Sequence, residues 1–323
     1  MAHEVYQFEN GDYSMAFVGE TPWHGLGQQI DPDSPLEIWA EKAHLDWGID
    51  EAAAAYFHPE TGNAAVIPNK KVLFRNDTNE YLSTVGDKYH PVQPREVLEF
   101  FKDLIETGGF KMHTAGSLFN GRRLWALAEI GQSAAIMGQD KIGGYLLLAT
   151  ACDGTLANTG QFTSVRVVCN NTLEMSISGD RYVKLPHSRK FNPEEMKIQL
   201  GLASEVFDNF IENTNRLAKR KMKYEDAIEF FVDLYRTKEE IEEGAVNVDA
   251  PIKTHVKNLL KLYGDEELRS SKDTAWGLVN AVTRYYDHER RATSTDHRIN
   301  NAWFGDGSNM KKKAWDYALK LAA

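Results

Sequence analysis

Cysteine is nearly missing from this chain of 323 residues, which has only Cys152 and Cys169. Both stand in apolar, β-like runs where a free thiol behaves as a small hydrophobe, so no disulfide framework is expected. Long apolar runs are missing too. No stretch approaches the roughly 18 residues that a membrane span needs, and "MAHEVYQFENGDYSM" lacks a basic segment followed by an apolar one. The expected location is therefore cytoplasmic. Nucleotide fingerprints are also absent: "GQSAAIMGQDKIGG" has glycines without the order of a P-loop or a Rossmann turn. There is no GxSxG elbow, no HExxH and no CxxC. No cofactor and no metal is expected, and no repeat or low-complexity tract interrupts the chain.

What is present is acidity, unevenly spread. The net charge is -10. Residues 1–180 hold 12 Lys and Arg against 24 Asp and Glu, while residues 181–323 hold 25 against 23. The acidic total opposes indiscriminate coating of nucleic acid, and the second half is the better face for an anionic partner.

Apolar periodicity divides the chain the same way. "DSPLEIWAEKAHLDW" starts a helix, with Asp33 or Ser34 as cap and Pro35 in the first turn. "KKVLFRNDTNEYLSTVG" reads as a hairpin around residues 76–79, and "QPREVLEFFKDLIETGG" as one amphipathic helix from Pro94 to the Gly108-Gly109 stop. "FKMHTAGSLFNGRRLWALAEI" is a second hairpin, with Asn120-Gly121 as its type I′ turn, and "IGGYLLLATAC" with "QFTSVRVVC" makes a third strand pair. From Pro193 the pattern is helical: a long helix to about Lys223, then helices near 224–237, 251–263, 273–290 and 309–322. The fold class expected is α+β, an antiparallel hairpin-rich sheet of about six strands with packed helices, followed by a helical C-terminal half. The two domains expected are 1–185 and 186–323.

"TSVRVVCNNTLEMSI" raises the question of a reactive thiol. Cys169 has no local His as base, so residues 165, 167 and 169 are read as one strand face, with Asn170 or Asn171 capping a short helix "TLEMSI". Arg166 is the unusual member: opposite an apolar face it must be paired, exposed or aimed at an anion. Trp23, in "TPWHGLG", is expected to tuck against a larger element.

Basic clusters remain. "RLAKRKMK" sets Arg216, Lys219, Arg220 and Lys223 at helical spacing. "KLPHSRK" gathers Lys184, His187, Arg189 and Lys190, "HERRATSTDHR" adds Arg290, Arg291 and Arg298, and "NMKKKAW" adds Lys311 to Lys313. Each alone is most simply a solvated face. Interleaved with Tyr182, Phe191, Tyr224, Trp303 and Phe304, they fit a groove that tracks a nucleic-acid backbone while aromatics stack on bases.

"TPWHGLG", "HTAGSLFNGRRLWALA", "DGTLANTGQFTSVRVVCNNTL" and "DTAWGLVNAVTRYYDHERR" together resemble the phage and plasmid-like family catalogued as domain of unknown function 932, from about residue 13 to 320. The resemblance implies a mobile-element origin. In outline the chain is also similar to the single-strand annealing proteins of phages, which form rings and hold single-stranded DNA without metal or nucleotide; this is analogy of shape. It implies a homo-oligomer.

The leading expectation is thus a protein that binds single-stranded nucleic acid and assists recombination or replication by annealing. Arg122, Arg123, Arg166, Lys184, Arg189 and Lys190 are the expected phosphate contacts, with Tyr182 and Phe191 as stacking residues. Two competitors stand beside it. One is an interaction protein whose acidic half binds a host enzyme. The other is a nuclease or hydrolase using Asp153, Asp287, His288 or Asp296 as acid, base or metal ligand.

Overall fold

The computed structural model describes residues 7–8, 10–19, 26–166, 171–174, 182–201, 203–236 and 250–323. The fold is α+β, with antiparallel sheets built from hairpins and a helical C-terminal region. Two compact units are present, and neither is one continuous piece of chain. The first comprises residues 1–131, 145–162 and 176–203, the second residues 132–144, 163–175 and 204–323.

The first unit opens with β1 (Met15–Phe17) and β2 (Gln28–Gln29), paired in parallel, and the short helix α1 (Leu36–Lys42). Pro35 stands just before α1 with extended backbone, and Trp39 and Ala43 are buried. Next come β3 (Ile49–Phe57), β4 (Ala64–Arg75) and β5 (Tyr81–Gly86), an antiparallel sheet in that order. β4 and β5 make the hairpin expected around residues 76–79. β3 has no counterpart in the sequence pattern, because its four alanines are the strongest of helix formers. Pairing from Ile49↔Arg75 to Phe57↔Ala64 overrides that preference. Since β5 reaches only Lys70 to Phe74 of β4, the outer part of the β3–β4 ribbon is largely solvated, and Phe57 is 77 % exposed.

The single helix expected from Pro94 is two, α2 (Pro94–Glu99) and α3 (Lys102–Gly108), broken where the buried rings of Phe100 and Phe101 meet edge to face at 4.9 Å. Gly109, at φ 71°, stops the second. β6 (Lys111–Leu118) and β7 (Arg123–Ile136) form the next hairpin, but its loop is four residues with positive φ at Phe119, Asn120 and Gly121, longer than a type I′ turn. Gly121 is required here, as a Cβ would come within 2.7 Å of the Trp47 ring.

β8 (Asp140–Ala151), β9 (Asn158–Arg166), β10 (Asn171–Glu174) and β11 (Val183–Leu185) complete the large sheet, in the order β10-β9-β8-β7-β6-β1-β2, with β11 also on β9. β10 corrects the short helix expected at "TLEMSI": residues 171–174 pair antiparallel with β9, from Asn171↔Arg166 to Glu174↔Thr163. Ladder bonds outweigh the capping preference of Asn171. Cys169 and Trp23 lie outside the described residues. The helix expected to run from Pro193 to Lys223 stops after α4 (Pro193–Leu200), where Gly201 has φ 69°. The core of this unit holds Trp39, Leu45, Phe100, Phe101, Trp125 and Phe162, each contributing roughly 1.5–3 kcal/mol by burial.

The second unit contains the β7–β8 hairpin tip, the end of β9 with β10, and the helices α5 (Ala203–Lys219), α6 (Tyr224–Asp233), α7 (Ala250–Gly264), α8 (Ala275–Arg284), α9 (Thr295–Phe304) and α10 (Asp306–Leu321). A π-helical turn, Tyr285–Glu289, follows α8. α9 lies in the stretch between the helices expected near 273–290 and 309–322, where none was expected, and is capped by Ser294, whose Oγ accepts from the His297 N–H at 3.2 Å. Phe210 stacks on Trp315 at 4.9 Å in the core, and Gly277 of α8 sits so close to the Ser271 carbonyl that a Cβ would be 2.0 Å from it. Among the described residues no helix is long and apolar enough to cross a membrane.

Candidate anion-binding sites

β11 and the turn after it carry five of the expected contacts. Strand alternation turns Val183 and Leu185 inward and leaves Tyr182 and Lys184 exposed. Lys184 Nζ lies 4.0 Å from the centre of the Tyr182 ring, a cation–π pair on the surface. His187 then turns inward. Its Nδ1 is 3.0 Å from the His90 carbonyl oxygen, its Nε2 3.1 Å from that of Leu156, and its ring stacks on Tyr89 at 4.4 Å. Both carbonyls only accept, so each ring nitrogen bonds only when it carries a proton. This anchor holds the exposed Arg189 and Lys190 at the surface. Arg189 Nη2 donates to Glu195 Oε1 at 2.7 Å, and Phe191 is half-buried with its ring 6.2 Å from Phe100. Phe191 thus packs inside the unit, while Tyr182 is available to a ligand.

The two adjacent arginines of the β6–β7 hairpin part company. Arg122 is exposed; Arg123 is only 6 % exposed. Arg123 Nη2 donates to Thr155 Oγ1 at 2.7 Å, and the Thr155 N–H and hydroxyl both donate to Asp153 Oδ1, at 2.9 and 2.5 Å. Burial pulls the Arg123 guanidinium below its usual pKa, against the attraction of Asp153. Arg123 therefore organises the loop after β8, and the next residue of that loop, Leu156, is the one whose carbonyl His187 meets. The structure brings Arg123 and the β11 turn to the same loop. Arg166 ends β9 opposite Asn171 and belongs to the second unit. Asp153, read as a possible acid or base, is spent on Thr155. Cys152 is inert: burial, with Asp153 beside it, pushes its thiol up to about 12.

In the second unit, burial sorts the basic clusters. Arg216, Lys219 and Arg220 are exposed, but α5 ends at Lys219, so Lys223 does not continue their helical face and instead precedes α6. Lys311 is buried against Asp287, Nζ to Oδ1 at 2.7 Å, which gives that carboxylate an ammonium partner where the hydrolase reading asked for a metal. Lys313 Nζ donates to the carbonyls of Leu234, at 2.7 Å, and Arg236, at 3.2 Å, closing the chain end of α6. Among the described residues no group of His, Cys, Asp and Glu could hold a metal ion.

"HERRATSTDHR" is different. Arg298 Nη1 donates to the carbonyls of His288, at 2.7 Å, and Arg290, at 2.8 Å, and so fixes the chain between the π-helical turn and α9. That chain borders a cavity of about 210 Å³, lined among others by Tyr286, Arg290, Arg291, His297, Arg298 and Asn300. None of its lining residues is acidic. Arg290 lies over the Tyr286 ring at 5.1 Å. Behind it, Tyr235 and Tyr286 share a hydroxyl hydrogen bond at 3.2 Å, and His255 Nδ1 is 2.7 Å from the Tyr285 hydroxyl. The arginines are visible in sequence as a basic cluster; that they share a cavity with His297 and Asn300 depends on α9, whose Ser294 cap was the available signal.

No curated protein and no solved structure matches the chain. A family model does, over residues 81–303, a span holding β5 to β11 and the chain through most of α9, and by that match the chain belongs to the family described as Domain of unknown function (DUF932).

Proposed function

We propose that this protein binds single-stranded nucleic acid through the exposed face running from Tyr182 to Lys190. The observation that carries the proposal is the Tyr182–Lys184 pair at 4.0 Å, with Arg189 and Lys190 exposed a few residues on. An exposed phenol ring offers a stacking surface that any base can use, and the three cations offer neutralisation to successive phosphates. Arg122 is a further exposed cation of the same unit. Binding of this kind is the physical requirement for annealing complementary strands, the activity we assign to it in recombination or replication.

The test is anisotropy of a fluorescent single-stranded oligonucleotide with a free 5′-hydroxyl, beside a duplex control, across a salt series. Strand-selective, salt-sensitive binding that weakens in Lys184→Ala/Arg189→Ala/Lys190→Ala supports the assignment. No binding at low salt, or binding indifferent to those three side chains, overturns it.

A further inference from the structure

The arginine-lined cavity of the second unit lies apart in sequence from the β11 turn and belongs to the other compact unit. Arg290 is half-buried and Arg291 exposed, and among the described residues neither forms an ion pair with a carboxylate. Half-buried guanidinium charge without a carboxylate is costly unless an anion from outside completes it. Other cations of the region have protein partners: Arg284 reaches Glu289 at 3.6 Å and Lys311 reaches Asp287 at 2.7 Å. The site is also built in advance. Arg298 pins the carbonyls on either side of the 289–290 peptide region, Ser294 caps α9, and Tyr286 backs the Arg290 guanidinium. Asn300 lines the same cavity, and its side-chain oxygen is buried without a hydrogen-bond partner. Because the two ends of an amide are assigned only by their bonding, the reversed rotamer presents an N–H there instead.

We propose that this cavity binds a phosphoryl group, with Arg290 and Arg291 as its ligand contacts and Arg298 as their positioning residue. Size and the kinds of donor in the lining select the ligand class. A cavity of about 210 Å³ is smaller than a site for a whole drug-sized molecule, which takes about 300 Å³ or more. A planar carboxylate is satisfied by a single guanidinium fork, whereas a tetrahedral phosphate dianion has oxygens left over for a second fork and an amide. The phosphoryl group could be the end of a nucleic-acid strand or a free phosphate compound, and both present the same oxygens. The inference does not rest on the β11 face.

The experiment uses the full chain and two probes: inorganic pyrophosphate in a calorimeter, and one oligonucleotide compared with and without a 5′-phosphate. We expect pyrophosphate to bind, and Arg291→Gln, an exposed substitution, to weaken it roughly tenfold, as loss of a charge-assisted pair should. A several-fold preference for the 5′-phosphorylated strand, erased by Arg291→Gln and competed by pyrophosphate, assigns the group to a strand end. Pyrophosphate binding that depends on Arg291 without an end preference assigns it to a free phosphate compound. Arg290→Gln, checked by its melting curve, gives the second reading of the same contact. No pyrophosphate binding, or binding unaffected by both substitutions, overturns the inference. The β11 proposal is judged separately, on the 5′-hydroxyl strand.

Discussion

Lys311 and Lys313 stand two positions apart in "NMKKKAW", and both are consumed by structure. On α10 the buried residues are Gly307, Ser308, Lys311, Ala314, Trp315 and Ala318, so Lys311 occupies the apolar stripe at helical spacing. That spacing was legible; that an ammonium fills it was not, because only the fold delivers Asp287 to within 2.7 Å. Removing one member of such a pair leaves the other buried and uncompensated, so Lys311→Met or Asp287→Leu alone should cost about 3–5 kcal/mol in urea unfolding. The double substitution should recover most of that loss, and a double variant no better than the worse single one would deny the coupling. His113 gives a second residue-scale expectation. It sits at the irregularity between β6 and β7, its ring edge to face with Tyr145 at 5.1 Å, and burial lowers its pKa. A group depressed in the folded state contributes fully above its unfolded value, near 6.5, and its contribution is lost as pH falls below that toward the folded value. Melting temperature should therefore fall on acidification through this window, and His113→Phe should flatten that part of the profile. An equally steep profile in the variant would assign the loss to other groups.

At the scale of elements, what tertiary contact decides is what sequence pattern misses. The helix starts at Pro94 and Pro193 are legible because capping and proline geometry are local, whereas α1 starts one residue later than expected, with Pro35 rather than Asp33 or Ser34 at the cap position and no side chain capping it. β3 is hidden by its alanines, β10 by its asparagine, and the breaks at Phe100–Phe101 and Gly201 by apolar spacing that runs across them. The tip of the β7–β8 hairpin shows how such an element is tied down. Asp140 is fully buried, and its Oδ2 accepts from the Ser270 hydroxyl at 2.8 Å and from the Trp276 indole N–H at 3.0 Å. A strand end is thereby fastened to the start of α8. Asp140→Ala strands both donors, and since bonds to a carboxylate contribute about 1.5–3 kcal/mol each, a loss of about 3 kcal/mol is expected. Asp140→Asn keeps an acceptor and should lose less. Intrinsic tryptophan fluorescence during denaturant unfolding reads both, and equal stability of Asp140→Ala and the native chain would sink this account.

For the whole molecule, net charge and local charge point in opposite directions. The chain carries -10 overall, so binding to polyanions must come from particular surfaces and compete with general repulsion. The basic clusters that sequence alone weighed equally are now unequal: Lys311, Lys313 and Arg298 bond to the protein, Arg123 is interior, and Lys184, Lys190, Arg216, Lys219 and Arg220 face solvent. Counterion release turns that division into a measurement. Three phosphate contacts on a single strand give a slope of log K against log salt of about -2. We expect a slope somewhat shallower than that for the native chain, because Arg189 contributes only in part, having to leave Glu195, 2.7 Å away. Lys184→Ala/Arg189→Ala/Lys190→Ala should bring the slope close to zero, while Arg216→Ala/Lys219→Ala/Arg220→Ala, which removes the same charge from the other unit, should leave it unchanged. Both triple variants alter net charge equally, so a general electrostatic effect would move the two slopes together, and only a strand lying across the β11 turn would separate them.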